Sequence, residues 1–172
     1  MEGRIIKIYV ECIVCRLYFN KTLNNILFLC KTVNQKEKVG QFYYFCFSKK
    51  YFAAFGLSER IMEFPVSSAT VELAAAALNC ERGRIAKTLS FFVGEKVIVV
   101  VFAGDVKADN AKFKAYFGTK AKMLPPEETE RLVGYAVGGV CPFALNQGVE
   151  AYLDISLRRF RTVFPACGSS KS

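Results

Sequence analysis

The chain of 172 residues contains no histidine and no tryptophan. Without histidine, the Ser-His-Asp and Cys-His nucleophilic arrangements are excluded, as is any metal site that needs an imidazole. No GxGxxG and no GxxxxGK[ST] follows a strand-like segment, which sets aside two common phosphate-cradling loops. No apolar run reaches the roughly 18 residues of a membrane-spanning helix. The N-terminus also lacks the basic-then-apolar layout of a secretory signal, so neither a membrane partner nor export is expected. Alanine, proline and aspartate are missing from residues 1–50, and every one of them in the chain comes later. Acid–base chemistry is left to Lys, Asp, Glu, Cys, Tyr or the substrate.

What is present divides the chain. The formal net charge is +9, a balance that admits a polyanionic partner without requiring one. Residues 1–50 contribute +6 of it and residues 51–172 only +3. The seven cysteines are odd in number and irregularly spaced, which argues against a disulfide scaffold and for a reducing, cytoplasmic setting. Cys12 and Cys15 form a lone CxxC; with no second pair, zinc lacks ligands. Residues 1–48 read as an atypical, non-native-like N-terminal appendage, and residues 49–172 as the folded domain.

Within that domain the punctuation is orderly. "KKYFAAFGLS" reads as a short helix stopped by Gly56, and "RIMEF" as a strand. "TVELAAAALN" is a helix with Thr70 as cap and Glu72 complementing its N-terminal dipole. "GRIAK" reads as a further helical turn. "TLSFFV" and "KVIVVVFA" are strands joined by a tight turn at Gly94. "DNAKFKAYFG" is a helix capped by Asp109 and closed by Gly118. "KAKML" is a short strand, and "PPEETERLVG" a helix with proline at its start and Gly134 as its stop. "EAYLD", a helical turn "ISLRRF" and a strand "TVFPACG" complete the chain. Interspersed helices and strands with a hairpin predict an α+β fold built on a compact, largely antiparallel mixed sheet.

Two places could carry chemistry. Lys87 lies in "RIAKTLSF", where a helical turn meets the long apolar strand. Its bland reading is a solvated cation at a helix C-terminus; the functional one is a cation that polarises a carbonyl or binds a phosphate. The second place is "YAVGGVCPFAL". Paired glycines let a ligand approach the main chain closely, and Pro142 biases Cys141 toward an extended conformation. Amides from Gly139 to Cys141 could converge on a carbonyl oxygen or an anion. The bland alternatives are an ordinary tight loop and, for Cys141, a small buried hydrophobe.

Taken in order, "FGLSERIMEF…SSATVELAAAALNCERGRIAKTLSFFVGEKVIVVVFAGD" and "LVGYAVGGVCPFAL…AYLDISLRRFRTVFPACGSS" resemble the YbaK/ProX aminoacyl-tRNA deacylases. These are free-standing relatives of the prolyl-tRNA synthetase editing domain, and the resemblance covers roughly residues 49–172. It implies a partly barrel-like sheet with helices around it, and hydrolysis of a wrong amino acid from tRNA with no metal or cofactor. The leading substrates it suggests are Cys- and Ala-tRNA(Pro). It implies Lys87 and Gly138 as catalytic residues, with Gly139, Val140, Cys141, Pro142 and Thr88 binding substrate. The partners it implies are the 3′ acceptor end of aminoacyl-tRNA and prolyl-tRNA synthetase.

Relatives commonly carry Ser in place of Cys141, Gly in place of Ala144 and a small polar residue near Ala166. They also continue past Ser172, so the domain is expected to be C-terminally short. Besides an editing hydrolase, the sequence admits a non-catalytic tRNA-end or synthetase-binding module, and a thiol enzyme acting through Cys141.

Overall fold

The computed structural model describes residues 6–8, as a strand, and residues 48–168. The other residues before Ser48, with the Cys12–Cys15 pair, lie outside the described residues.

A hairpin forms the centre. Strands β2 (Ile85–Val93) and β3 (Lys96–Ala103) pair antiparallel from Ala86↔Ala103 to Val93↔Lys96. Two residues, Gly94 and Glu95, connect them. Gly94 takes φ 60, the positive angle that the first position of a type II′ hairpin turn demands. On the far side of β3, strand β5 (Glu150–Leu153) runs parallel to it. Strand β1 (Ile6–Ile8) adds antiparallel to β5. On the far side of β2 lie two very short strands, β4 (Lys122–Met123, antiparallel) and β6 (Phe164–Pro165, parallel). Among the described residues, three of the five pairings are antiparallel. This is the mixed α+β sheet that the sequence predicts.

Helices cover both faces, so the interior strand β3 reads as a continuous apolar run and is buried from Ile98 to Ala103. On one face Ile98, Val100 and Phe102 pack with Phe91, Tyr152 and Phe113 of helix α3 (Asn110–Phe117). On the other, Val99 and Ala151 pack with Tyr135, Val140, Cys141 and Phe143, which belong to the long loop after the last helix. Phe52, from a helix over residues 48–53, closes this face by meeting Phe143 edge-on at 5.0 Å. Ser48 lies in that helix. It is buried, and its Oγ lies 3.4 Å from the Tyr135 hydroxyl.

The predicted caps are in place. Thr70 Oγ1 accepts from the Leu73 N–H at the start of α2 (Val71–Ala77). The Asp109 carboxylate accepts from Ala111 and Lys112. Helices α3 and α4 (Pro126–Val133) both end on left-handed glycines, Gly118 and Gly134.

Two expected elements differ. "RIMEF" is not a strand: a 3-10 turn spans Ser58–Arg60, and residues 61–64 are irregular. Ile61, Met62 and Phe64 line a cavity instead of pairing with a strand. "GRIAK" is not one helical turn either, because the 3-10 turn stops at Arg84 and Ile85 begins β2. Ile85 and Ala86 are held extended between Ala103 on one side and β6 on the other. Lys87 is therefore a strand residue.

Candidate functional site: a cavity at a gap in the sheet

The two short strands leave β2 incompletely covered. β6 reaches Ile85 and Ala86, and β4 reaches Phe91 and Phe92. Among the described residues no strand lies beside Lys87–Ser90 on that edge, although the Leu124 N–H donates to the Ser90 carbonyl at 3.1 Å. A cavity of about 660 Å³ opens at this gap, lined by Lys87, Thr88, Leu89 and Ser90 themselves.

The gap explains how two neighbours on one strand reach the same space. Successive strand residues point to opposite faces. Lys87 stands opposite Phe102 and Thr88 opposite Val101, so their side chains start from different sides of the sheet. With no strand at the edge, both come to line the cavity.

The Lys87 ammonium donates to the Gly104 carbonyl, just past the end of β3, at 3.2 Å. Burial lowers its pKa from the ordinary lysine value; Asp105 opposes that shift and Arg82 adds to it. Desolvation disfavours the charged form, so the ammonium is poised to gain from an anionic partner. Asp105 is itself held by Arg159, whose Nη1 donates to it at 3.0 Å and keeps its carboxyl below the usual range.

The second wall is the loop from Gly134. The Gly139 N–H donates to the Ala136 carbonyl at 3.0 Å, closing a turn around Val137 and Gly138. Gly138 takes φ 92, as the third position of a type II turn requires. A Cβ built on Gly138 would stand 3.3 Å from the Ala69 Cβ, so the turn packs closely against the segment that leads into α2. Gly138, Val140 and Pro142 line the cavity.

Gly139 and Cys141 do not belong to that lining; both are buried. Cys141 has no exposed surface, and its Sγ is 3.7 Å from the Phe143 carbonyl. Burial pushes its thiol up to about 11. A thiol in that state supplies almost no thiolate near neutrality. The side chain at 141 faces the core, and the backbone around it forms the wall.

Of the residues singled out in the sequence, the cavity gathers Lys87, Thr88, Gly138, Val140 and Pro142. Sequence reasoning missed Ser68, Arg60 and Arg158, which line the same space. Its only signal for Ser68 was a small polar residue just before a helix cap. It also gave no physical sign that Ala144 adopts φ 46.

A profile of the aminoacyl-tRNA editing domain matches residues 66–172, a span that contains every one of these site residues except Arg60. The chain belongs to the aminoacyl-tRNA editing domain family. The uncharacterized protein YwhH of Bacillus subtilis (strain 168) is 50% identical over 125 residues, covering 72% of this chain and 80% of that protein. A proline--tRNA ligase of Bacillus cereus (strain AH820) is 31% identical over 85 residues; the match covers 49% of this chain but only 15% of the ligase. A crystal structure described as a proposed trans-editing enzyme for prolyl tRNA synthetase superposes with a TM-score of 0.67 at 29% identity. That superposition covers 74% of this chain and 82% of the other.

In this editing domain, the sheet gap and the Gly138 turn come from segments far apart in sequence, and the cavity lies between them. Among the described residues no helix is long and apolar enough to cross a membrane.

Proposed function

We propose that this editing domain is a trans-acting deacylase that hydrolyses the ester of a mischarged aminoacyl-tRNA bound in the cavity at the β2 gap. The observation that carries the reading is the presence of Lys87 and the Gly138 turn on the walls of one cavity. The aminoacyl carbonyl sits against the backbone of the turn, where Gly138 offers no side chain to block its approach. Main-chain amides there stabilise the oxyanion as it forms. The Lys87 ammonium, part-desolvated, exchanges the Gly104 carbonyl for the terminal phosphate or the reacting end of the substrate.

Water adds to the acyl carbon, the bond to the ribose oxygen breaks, and a proton passes to that oxygen. The neighbouring ribose hydroxyl can relay the proton, so the substrate itself supplies the acid–base group that a histidine would otherwise provide. Arg60 and Arg158, which also line the cavity, meet the phosphates of the acceptor end. Cysteine or alanine on tRNA(Pro) is the leading substrate, with prolyl-tRNA synthetase as a second partner and the cytoplasm as the setting.

Deacylation of a panel of mischarged tRNAs tests the reading. Hydrolysis of one small aminoacyl group, with cognate Pro-tRNA(Pro) spared, is expected. Binding without hydrolysis of any member would make the protein a tRNA-end binding module instead.

A further inference from the structure

Two hydroxyls at this cavity have nothing to do. Ser68 Oγ and Thr88 Oγ1 are shielded from water and, among the described residues, meet no hydrogen-bond partner, although both residues are only part-buried and line the cavity. Buried hydroxyls are nearly always paired, and an unpaired one is a group waiting for a ligand or a price taken for some function. The two come from different segments. Thr88 lies on the uncovered edge of β2. Ser68 precedes Ala69, the residue that packs against the Gly138 turn.

Much of the lining is apolar, including Phe52, Leu89, Val140 and Phe143. In such a cavity a few polar groups fix what binds and how it is oriented. In threonine, a move of χ1 to the next staggered well places Oγ1 where the methyl stood. The hydroxyl can therefore turn to the cavity with little change of shape.

We propose that Ser68 and Thr88 form a side-chain selector. They accept an aminoacyl group whose side chain ends in a hydrogen-bonding tip, a serine-like hydroxyl or a cysteine-like thiol, in preference to alanine. The proposal rests on the deacylase reading for the identity of the ligand. A hydroxyl both donates and accepts, so each of them can pair with a hydroxyl tip in either role. Alanine leaves both unpaired.

The test uses non-hydrolysable seryl- and alanyl-adenosine, each joined through a 3′ amide, with binding measured by calorimetry on the full chain. The parent is expected to bind the seryl probe about tenfold more tightly than the alanyl one, the size of one to two net hydrogen bonds. The double variant Ser68→Ala, Thr88→Val is expected to lose that preference. Its melting temperature is expected not to fall, because neither hydroxyl has a partner to lose.

Equal binding of the two probes by the parent, no binding of either, or a preference that survives in the double variant would overturn the proposal. So would a lowered melting temperature in both single variants, which would make the hydroxyls structural. Hydrolysis of charged tRNA is read separately. Preference without hydrolysis removes the deacylase reading and keeps the selector; hydrolysis without preference does the reverse.

Discussion

The Tyr135 hydroxyl donates to the Phe143 carbonyl at 2.7 Å, tying together residues eight apart across the Gly138 turn and Cys141. Tyr135 is 1% exposed, and burial holds its hydroxyl well above the ordinary tyrosine range, so it stays a donor. The loop that forms one wall of the cavity is thus fastened from beneath by a buried side chain.

Tyr135→Phe should loosen that fastening. It takes the Tyr135 donor from the buried Phe143 carbonyl, which keeps the Cys141 thiol 3.7 Å away, a loss of about 1 kcal/mol. Thermal melting should show the decrease, and single-turnover deacylation should slow as the Gly138 turn loses its fixed position. An unchanged melting temperature would show that the loop is held by other contacts.

Ala144 occupies the left-handed region at φ 46, one residue past Phe143. An L-residue with a Cβ is strained there by about 1–2 kcal/mol, and glycine gives back part of the relief through its freer unfolded chain. Ala144→Gly is expected to raise stability by about 0.5–1 kcal/mol, read from denaturant midpoints. A loss of stability would mean that the Ala144 methyl packs well enough to outweigh its backbone strain.

Cys141→Ser should keep most deacylation, because the wall at this position is backbone and the side chain faces the core. Iodoacetamide should leave Cys141 unlabelled in the folded protein and label both it and Cys167, which lines the cavity, after denaturation, as peptide mass spectrometry can read. The thiols also set a pH dependence. Burial raises them to about 11 and about 12 in the fold, against an ordinary value of 9.0. The Cys141 contribution is complete below pH 9.0 and is lost as pH rises to about 11, and that of Cys167 over a window that reaches about 12. The melting temperature of the parent should fall more steeply over that alkaline range than that of Cys141→Ser. Parallel declines, or a trapped thioester on Cys141, would contradict the burial of this thiol.

Much of the fold was legible because its signals are local. Thr70 and Asp109 cap helices, Gly118 and Gly134 end them, and Gly94 turns the hairpin. Each is read from its immediate neighbours. The gap beside Lys87 was not legible. It exists because β4 and β6, two residues each, dock at opposite ends of β2 from distant parts of the chain. Neither has enough length for a period-2 pattern to announce itself, and Pro165 cannot donate to a ladder. The same distance effect misled the reading of "GRIAK", where pairing with β3 and β6 overrides the local helical tendency. Position 144 shows another limit: alanine gives no sign of a positive φ, and only the resemblance, with glycine in relatives, pointed to it.

The central claim is that Lys87 acts on substrate within the cavity it lines. Single-turnover deacylation by Lys87→Ala, on the mischarged tRNA that the parent hydrolyses best, tests it directly when thermal melting is run on the same sample. A fall of about 10²–10³-fold is expected, the usual loss for one preorganised electrostatic contact, with melting close to that of the parent. A folded Lys87→Ala protein that deacylates at nearly the parent rate would contradict the account, leaving the cavity without its proposed cation.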